Sequence, residues 1–315
     1  MFHLRAIEDV EGLEVAAVAD MDGGRMEEVR RRAGAERGYL DYLELLSDPD
    51  VDAVAINTPP PFHEEMTLRS LEAGKHVLCE KPLAQSVEGC LHIGEVARAA
   101  GLNVLPVHNY FYTPCLERAE AMVRDGEIGD LQGVELRFEN NLRSYGSRTD
   151  FRLRQEHGIV EDILPHVLTV VQRVAGPVER IESARGWRKS YDVVDNLSAV
   201  MTSEGGVKLD CFMNWTSLIP SLSLEVSGSG GRLRMELMKR PYRLEVKSRA
   251  GRRVMDRGGL GKYLEIARFK HPGFRGMYKH LVGLLEGSQE PMFTAEDEAR
   301  ILALIEETKG LLKPI

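Results

Sequence analysis

Residues 39–84 read YLDYLELLSDPDVDAVAINTPPPFHEEMTLRSLEAGKHVLCEKPLA, and the fold turns on them. The stretch sets two short apolar runs, Asp52–Asn57 (DAVAIN) and His76–Cys79 (HVLC), on either side of a helical pattern from Phe62 to Ala73. Runs that are nearly continuous rather than alternating suit strands buried on both faces of a parallel sheet. Working outward, Leu13–Asp20 (LEVAAVAD) and Asn103–Val107 (NVLPV) read as further strands, with helices over 24–33 and 87–100. Strand–helix alternation at this spacing implies right-handed crossovers and a doubly wound parallel sheet.

Beyond about residue 125 the pattern changes. Leu131–Glu139, Val178–Gly186, Leu197–Thr202, Val207–Trp215, Ser221–Ser227, Gly231–Leu237 and Tyr242–Lys247 alternate apolar with polar residues. Turn residues such as Glu204-Gly205-Gly206 and Gly228-Ser229-Gly230-Gly231 separate several of them. Alternation predicts an antiparallel sheet with one buried face. Two helices close the chain, about Arg275–Glu286 and Ala295–Leu311, the second capped by Thr294 with Asp297. The expected division is an α/β dinucleotide-binding domain over 1–115 and an α+β domain over 116–315, whose last helices pack back on the first.

The 315 residues, 43% of them hydrophobic, suffice for two cores. A net charge of −8 speaks against nucleic acid as the main partner, since phosphate binding needs a basic surface. The basic clusters Arg30-Arg31-Arg32 and Arg249 to Arg257 read as solvated faces. Cys79, Cys90, Cys115 and Cys211 make no CxxC pair and no zinc-ligand rhythm, so free thiols in a reducing cytoplasm and no metal are expected. No apolar run approaches the roughly 18 residues of a membrane span, and the N-terminus lacks a signal-peptide shape.

The chemistry-bearing residues gather after the strands. Glu80-Lys81-Pro82 follows HVLC directly, and ligands of parallel α/β sheets bind at the carboxyl ends of strands. A lysine there can hydrogen-bond a reacting oxygen and stabilise negative charge developing on it; the bland alternative is a surface lysine before a loop proline. Asn57-Thr58-Pro59 follows DAVAIN in the same way, with His63 just beyond. Asp20 ends the LEVAAVAD run, where dinucleotide folds place an acid for the adenosine ribose. Farther on, Asp162 and His166 stand four apart, on one face if the segment is a single helix. Pro165 belongs in a first helical turn. His166 can give or take a proton, and Asp162 can orient it or bond the substrate.

Together these segments resemble the glucose–fructose oxidoreductase / inositol dehydrogenase (Gfo/Idh/MocA) family. The resemblance rests on EVAAVAD (14–20), residues 39–63, AGKHVLCEKPLA (73–84), the G-x-x-x-D-x-x-x-H of 158–166 and TAEDEARILALIEETKGLL (294–312). It implies a Rossmann-like domain followed by an open-faced antiparallel sheet, and an NAD(P)-dependent dehydrogenase or reductase acting on a sugar, cyclitol or related alcohol or carbonyl. It makes Lys81, Asp162 and His166 catalytic, with the same three and Asn109 on the substrate. Asp20, Asn57, Thr58, Pro59, His63, Glu80 and Lys81 would line NAD or NADP. It also implies a homodimer or homotetramer and a Lys81–Pro82 bond that is often cis.

Three departures bear on the substrate. His157-Gly158 stands where the family has three glycines, Thr169 where a second Asp follows the His, and Phe111 where relatives carry Arg. They point to a substrate less anionic or less hydroxylated than inositol. The family also opens with a strand and G-x-G-x-x-G. Here His3 matches a histidine that follows that loop, no such loop occurs near the N-terminus, and the strand and loop are expected to be encoded upstream. The competing expectation is a non-catalytic ligand-binding or regulatory relative that has lost its cofactor.

Overall fold

A computed structural model describes residues 2–143, 152–249, 251–267 and 270–312. In chain order, the first elements are α1 (Phe2–Ile7), β1 (Ala17–Ala19), α2 (Gly23–Ala33), β2 (Arg37–Tyr39), α3 (Tyr42–Leu46) and β3 (Ala53–Ile56). Then come α4 (His63–Glu72), β4 (His76–Glu80), α5 (Val87–Ala100), β5 (Val104–Val107), α6 (Pro114–Arg124), β6 (Leu131–Asn141), α7 (Ile159–Asp162) and α8 (Leu164–Ala175). Strands β7 (Val178–Trp187), β8 (Asn196–Ser203), β9 (Lys208–Asn214), β10 (Thr216–Gly228), β11 (Gly231–Glu236), β12 (Arg243–Ser248) and β13 (Gly251–Asp256) follow. Helices α9 (Leu260–Ala267), α10 (Pro272–Leu285) and α11 (Ala295–Leu311) end the chain. They form two compact units: residues 1–108 with 274–300, and residues 109–273 with 301–315.

The first unit is the parallel α/β half, and its sheet is in two pieces. β1 pairs with β2, while β3, β4 and β5 pair in that order, all in parallel. One edge of β1 and one edge of β3 therefore carry no strand partner among the described residues. A single apolar cluster, Leu45, Leu46 and Val51, packs against Ala17 and Ala19 on one side and Val54 on the other. The expected strand Leu13–Asp20 is thus much shorter, and Ala17–Ala19 is only half-buried: a run with one ladder neighbour is neither held nor covered over its full length. Local signals behave as expected. Asp22 caps α2 by accepting from the Arg25 amide, and Gly34 ends it at φ 68°, where a Cβ is costly.

The second unit holds an eight-stranded sheet of order β13-β12-β11-β10-β6-β9-β8-β7. Its inward residues follow the period of two: Val134, Leu136 and Phe138 on β6, Leu209, Cys211 and Met213 on β9, and Leu222, Leu224 and Val226 on β10 are all buried. Each such side chain contributes roughly 1.5–3 kcal/mol by leaving water. Helix α8 covers this face with Val167, Leu168, Val170 and Val171. The sheet departs from the all-antiparallel expectation at one place, because β6 and β9 run parallel. The α7–α8 segment and the β7–β8 hairpin return the chain to β6 from its starting end. The basic cluster around Arg252 forms part of β13, an edge strand whose Arg252 pairs with Glu245 on β12.

Candidate active site

In the first unit, the candidate residues stand at the carboxyl ends of three parallel strands. Asp20 follows β1, Asn57, Thr58 and Pro59 follow β3, and Glu80 and Lys81 sit at the end of β4. Asp20 accepts the Asp22 amide at 2.9 Å, and the Arg25 guanidinium lies 3.6 Å from its other oxygen. Asn57 and Pro59 are exposed, and Thr58 and Lys81 are half-buried. The Lys81–Pro82 bond is cis.

His63 has a different place from the others. It is 1% exposed, its Nε2 lies 2.7 Å from the Thr58 carbonyl and its Nδ1 lies 2.7 Å from the Pro82 carbonyl. It is a strut that ties the loop after β3 to the loop after β4, with both ring nitrogens turned to backbone. The buried imidazole is thus wedged between backbone carbonyls of two loops, and it packs those loops against each other.

Glu80 is held on both oxygens. Oε1 accepts from His3 Nε2 at 3.0 Å and Oε2 from the Lys81 amide at 3.3 Å. Burial opposes its ionisation. The His3 hydrogen bond, the charge of Lys81 and the Lys81 amide together outweigh it and hold the carboxyl below the usual range.

In the second unit the expected single helix face does not form. Asp162 is the last residue of α7 and His166 lies in the first turn of α8, with the break at Ile163 and Pro165 in the opening turn of α8. Proline there has no N–H to give the Glu161 carbonyl four residues back, which interrupts the helical ladder between α7 and α8. Gly158 at φ 48° starts α7, and a Cβ would come 2.5 Å from the Val194 carbonyl; the one glycine left of the family's three is the one that needs to be glycine. Asp162 is buried and accepts from Arg152 Nε at 2.8 Å, a partner that nothing in the sequence singled out. Tyr110 meets the His166 ring edge-to-face at 5.5 Å and the Phe138 ring at 5.7 Å.

The positions that depart from the family's pattern are filled by structure. Thr169 is buried and its hydroxyl donates to the His166 carbonyl at 3.0 Å, so it serves its own helix. Phe111 is buried beneath Arg173, whose guanidinium carbon lies 4.7 Å from the ring centroid and whose Nε bonds Glu120 at 3.0 Å. A cation is therefore present beside Phe111, engaged by a ring and a carboxylate. Among the described residues no group of His, Cys, Asp and Glu has the disposition of a metal site, and no helix is long and apolar enough to cross a membrane.

A parallel α/β half with acid, amide and lysine at its strand ends is joined in sequence to a large sheet packed by helices that carry an Asp and a His, the two-part layout expected of a nicotinamide-linked oxidoreductase. Residues 1–108 match the family described as "Oxidoreductase family, NAD-binding Rossmann fold", and residues 116–234 match the "GFO/IDH/MocA C-terminal domain". The chain belongs to the Gfo/Idh/MocA oxidoreductase family. It is 27% identical to the D-apiose dehydrogenase of Paraburkholderia graminis over 97% of this chain and 83% of that one. It is 32% identical to the trans-1,2-dihydrobenzene-1,2-diol dehydrogenase of Bos taurus over 69% of this chain and 64% of that one. An Agrobacterium radiobacter oxidoreductase, solved with NAD+, L-tartaric acid and magnesium, shares the fold at a TM-score of 0.86 and 21% identity, over 98% of this chain and 92% of that chain.

The residues present suit a nicotinamide dinucleotide. Asp20 offers a carboxylate of the kind that bonds a ribose diol, and Thr58, Glu80 and Lys81 stand at the carboxyl ends of strands, where ligands of parallel α/β sheets bind. Residues 1–108 contain no G-x-G-x-x-G for the pyrophosphate.

Proposed function

We propose that this chain interconverts an alcohol and a carbonyl on a sugar, cyclitol or related vicinal diol, with NAD or NADP as redox partner. The observation that carries the reading is Lys81, which leaves the carboxyl end of β4 on a backbone pinned by Glu80 and backed by the His63 strut. Bound nicotinamide would supply or take up the hydride. In the oxidising direction Lys81 holds the substrate oxygen and stabilises the charge growing there, while His166 receives the hydroxyl proton. Asp162, anchored by Arg152, bonds a neighbouring substrate hydroxyl or steadies His166. Reduction reverses the proton movement. Asp20 favours NAD through the adenosine ribose, while Arg25 at 3.6 Å offers a partner for a 2′-phosphate.

The names of the relatives support a substrate with adjacent hydroxyls. The buried Thr169 and the ring-engaged Arg173 support an uncharged substrate with fewer hydroxyls than inositol. Four buried free thiols suit a reducing cytoplasm. The open face of the eight-stranded sheet, where Trp187 stacks on Phe212 at 6.1 Å, is the surface we assign to a second copy in a homodimer or homotetramer, to be checked by size-exclusion chromatography with light scattering.

The test is a fluorescence titration with NADH and NADPH, followed by a turnover screen over sugars, cyclitols, arene dihydrodiols and their keto forms. Binding of one cofactor and turnover of one substrate group are expected. The competing reading is a non-catalytic ligand-binding role, and failure to bind either cofactor would favour it over ours.

A further inference from the structure

His3 sits between two residues far from it in sequence. Its Nδ1 is 2.9 Å from the Tyr278 hydroxyl and its Nε2 is 3.0 Å from Glu80 Oε1. The same ring is clamped edge-on by Phe274 at 5.0 Å and Tyr278 at 5.8 Å, and Phe2 stacks on Phe274 at 5.2 Å. The geometry points to His3 and Tyr278 as positioning residues for Lys81, which they hold through the Glu80 carboxylate. This inference rests on the reading of Lys81 as a residue of the reaction.

The direction of each hydrogen bond follows from the groups. An ionised carboxylate only accepts, so His3 Nε2 carries a hydrogen. In the neutral ring Nδ1 is then an acceptor, and the Tyr278 hydroxyl donates to it. Tyr278 is 2% exposed and burial pushes its phenol up, which keeps the hydroxyl a donor. The chain thus runs one way, from Tyr278 through His3 to Glu80 Oε1, while the Lys81 amide donates to Oε2. A bond from a ring N–H to a carboxylate is charge-assisted. Without it, Glu80 regains its side-chain torsions and the lysine's own peptide loses its anchor. Packing of α1 on α10 alone would not require the Nε2–H tautomer or a link to Glu80.

The experiment has two arms. In the first, long-range proton–nitrogen NMR on the labelled wild-type chain reads the His3 tautomer at neutral pH. A proton on Nε2 is expected, and a proton on Nδ1 alone would overturn the assignment. In the second, steady-state kinetics are measured for His3→Leu, His3→Gln and Tyr278→Phe, each first checked for an unchanged circular dichroism spectrum. Glutamine can place its amide N–H near the position of Nε2. His3→Leu is expected to lower kcat by about tenfold with substrate KM within about twofold, His3→Gln to recover most of that loss, and Tyr278→Phe to cost about threefold. Equal losses for the leucine and glutamine variants, or losses confined to KM, would show a packing role and sink the proposal. A wild type with no nicotinamide turnover on any substrate sinks the parent reading and this one with it. An active wild type with silent variants sinks this one alone.

Discussion

Strand β6 in the second unit has a neighbour along each edge, β10 on one side and β9 on the other, whereas β1 in the first unit pairs, among the described residues, with β2 alone. The consequences extend to burial. Leu136 on β6 is 1% exposed, while Ala17–Ala19 stays half-buried throughout. The two sets of candidate residues, one in each unit, thus rest on unlike foundations. His166 stands on a helix laid across a continuous sheet. Lys81 stands on a three-stranded piece, and the loops around it are held by individual side chains, His63 beneath and Glu80 at its neighbour's backbone. Where a sheet is continuous, backbone pairing fixes the geometry, and where it is divided, specific side-chain bonds do so.

The sharpest way to probe this contrast is to remove chemistry from each half. His166→Asn is expected to lower kcat/KM by about 10²–10⁴, and Lys81→Ala by about 10²–10³, both with an unchanged unfolding midpoint in urea. A large shift of the midpoint in either case would mean that the residue serves the fold.

Packing comes next. Leu136→Ala, in the middle of the eight-stranded sheet, is expected to cost about 3–4 kcal/mol in urea unfolding. Leu45→Ala, in the cluster between the two sheet pieces, should cost about 2 kcal/mol, because a looser site relaxes around the cavity. Equal costs would erase the proposed difference in rigidity.

The second unit also carries a built-in acid sensitivity. His271 donates from Nε2 to the Leu237 carbonyl at 2.9 Å and accepts the Gly273 amide at 3.2 Å. Burial lowers it from 6.5 to about 4. Between these values the unfolded chain binds the proton and the folded chain does not, so stability is full above pH 6.5 and falls as pH drops towards 4. The loss is about 3 kcal/mol by pH 4. Replacing His271 with Asn should flatten the stability–pH slope in that window by close to one proton, and an unchanged slope would refute the account.

The mildest effect expected is in hydrogen exchange. The Asp20 and Arg37 amides, which bond across β1 and β2, should exchange about 10–100-fold faster than those of Leu136 and Cys211 in the larger sheet. Equal protection would show that the divided sheet opens no more readily than the whole one.

Much of this was legible from residues alone. The period-two strands of the second unit, the Thr294–Asp297 cap and the place of Lys81 at a strand end follow from pattern and turn chemistry. Strands β2 and β13 did not, for physical reasons. Arg37–Tyr39 is three residues with a central glycine, and Gly251–Asp256 is an exposed edge with no apolar face to alternate. Helix α6 had a readable signal, Pro114 at its start and Cys115, Leu116, Ala119 and Met122 on one buried side, which passed unread. The break between Asp162 and His166 was half legible, since Pro165 located the start of α8 but not the end of α7. Arg152 as the partner of Asp162 and Tyr278 as the partner of His3 carry no local pattern, because tertiary packing alone brings them together.

The alanines of β1 and β3 have one further effect. An uncovered strand edge is a place where another extended chain can dock, and its adhesiveness grows with length and with branched or aromatic side chains. Here the edges are AVA and AVAI, three and four residues long. Each offers few rungs and little side-chain surface, so either edge would hold another extended chain only weakly.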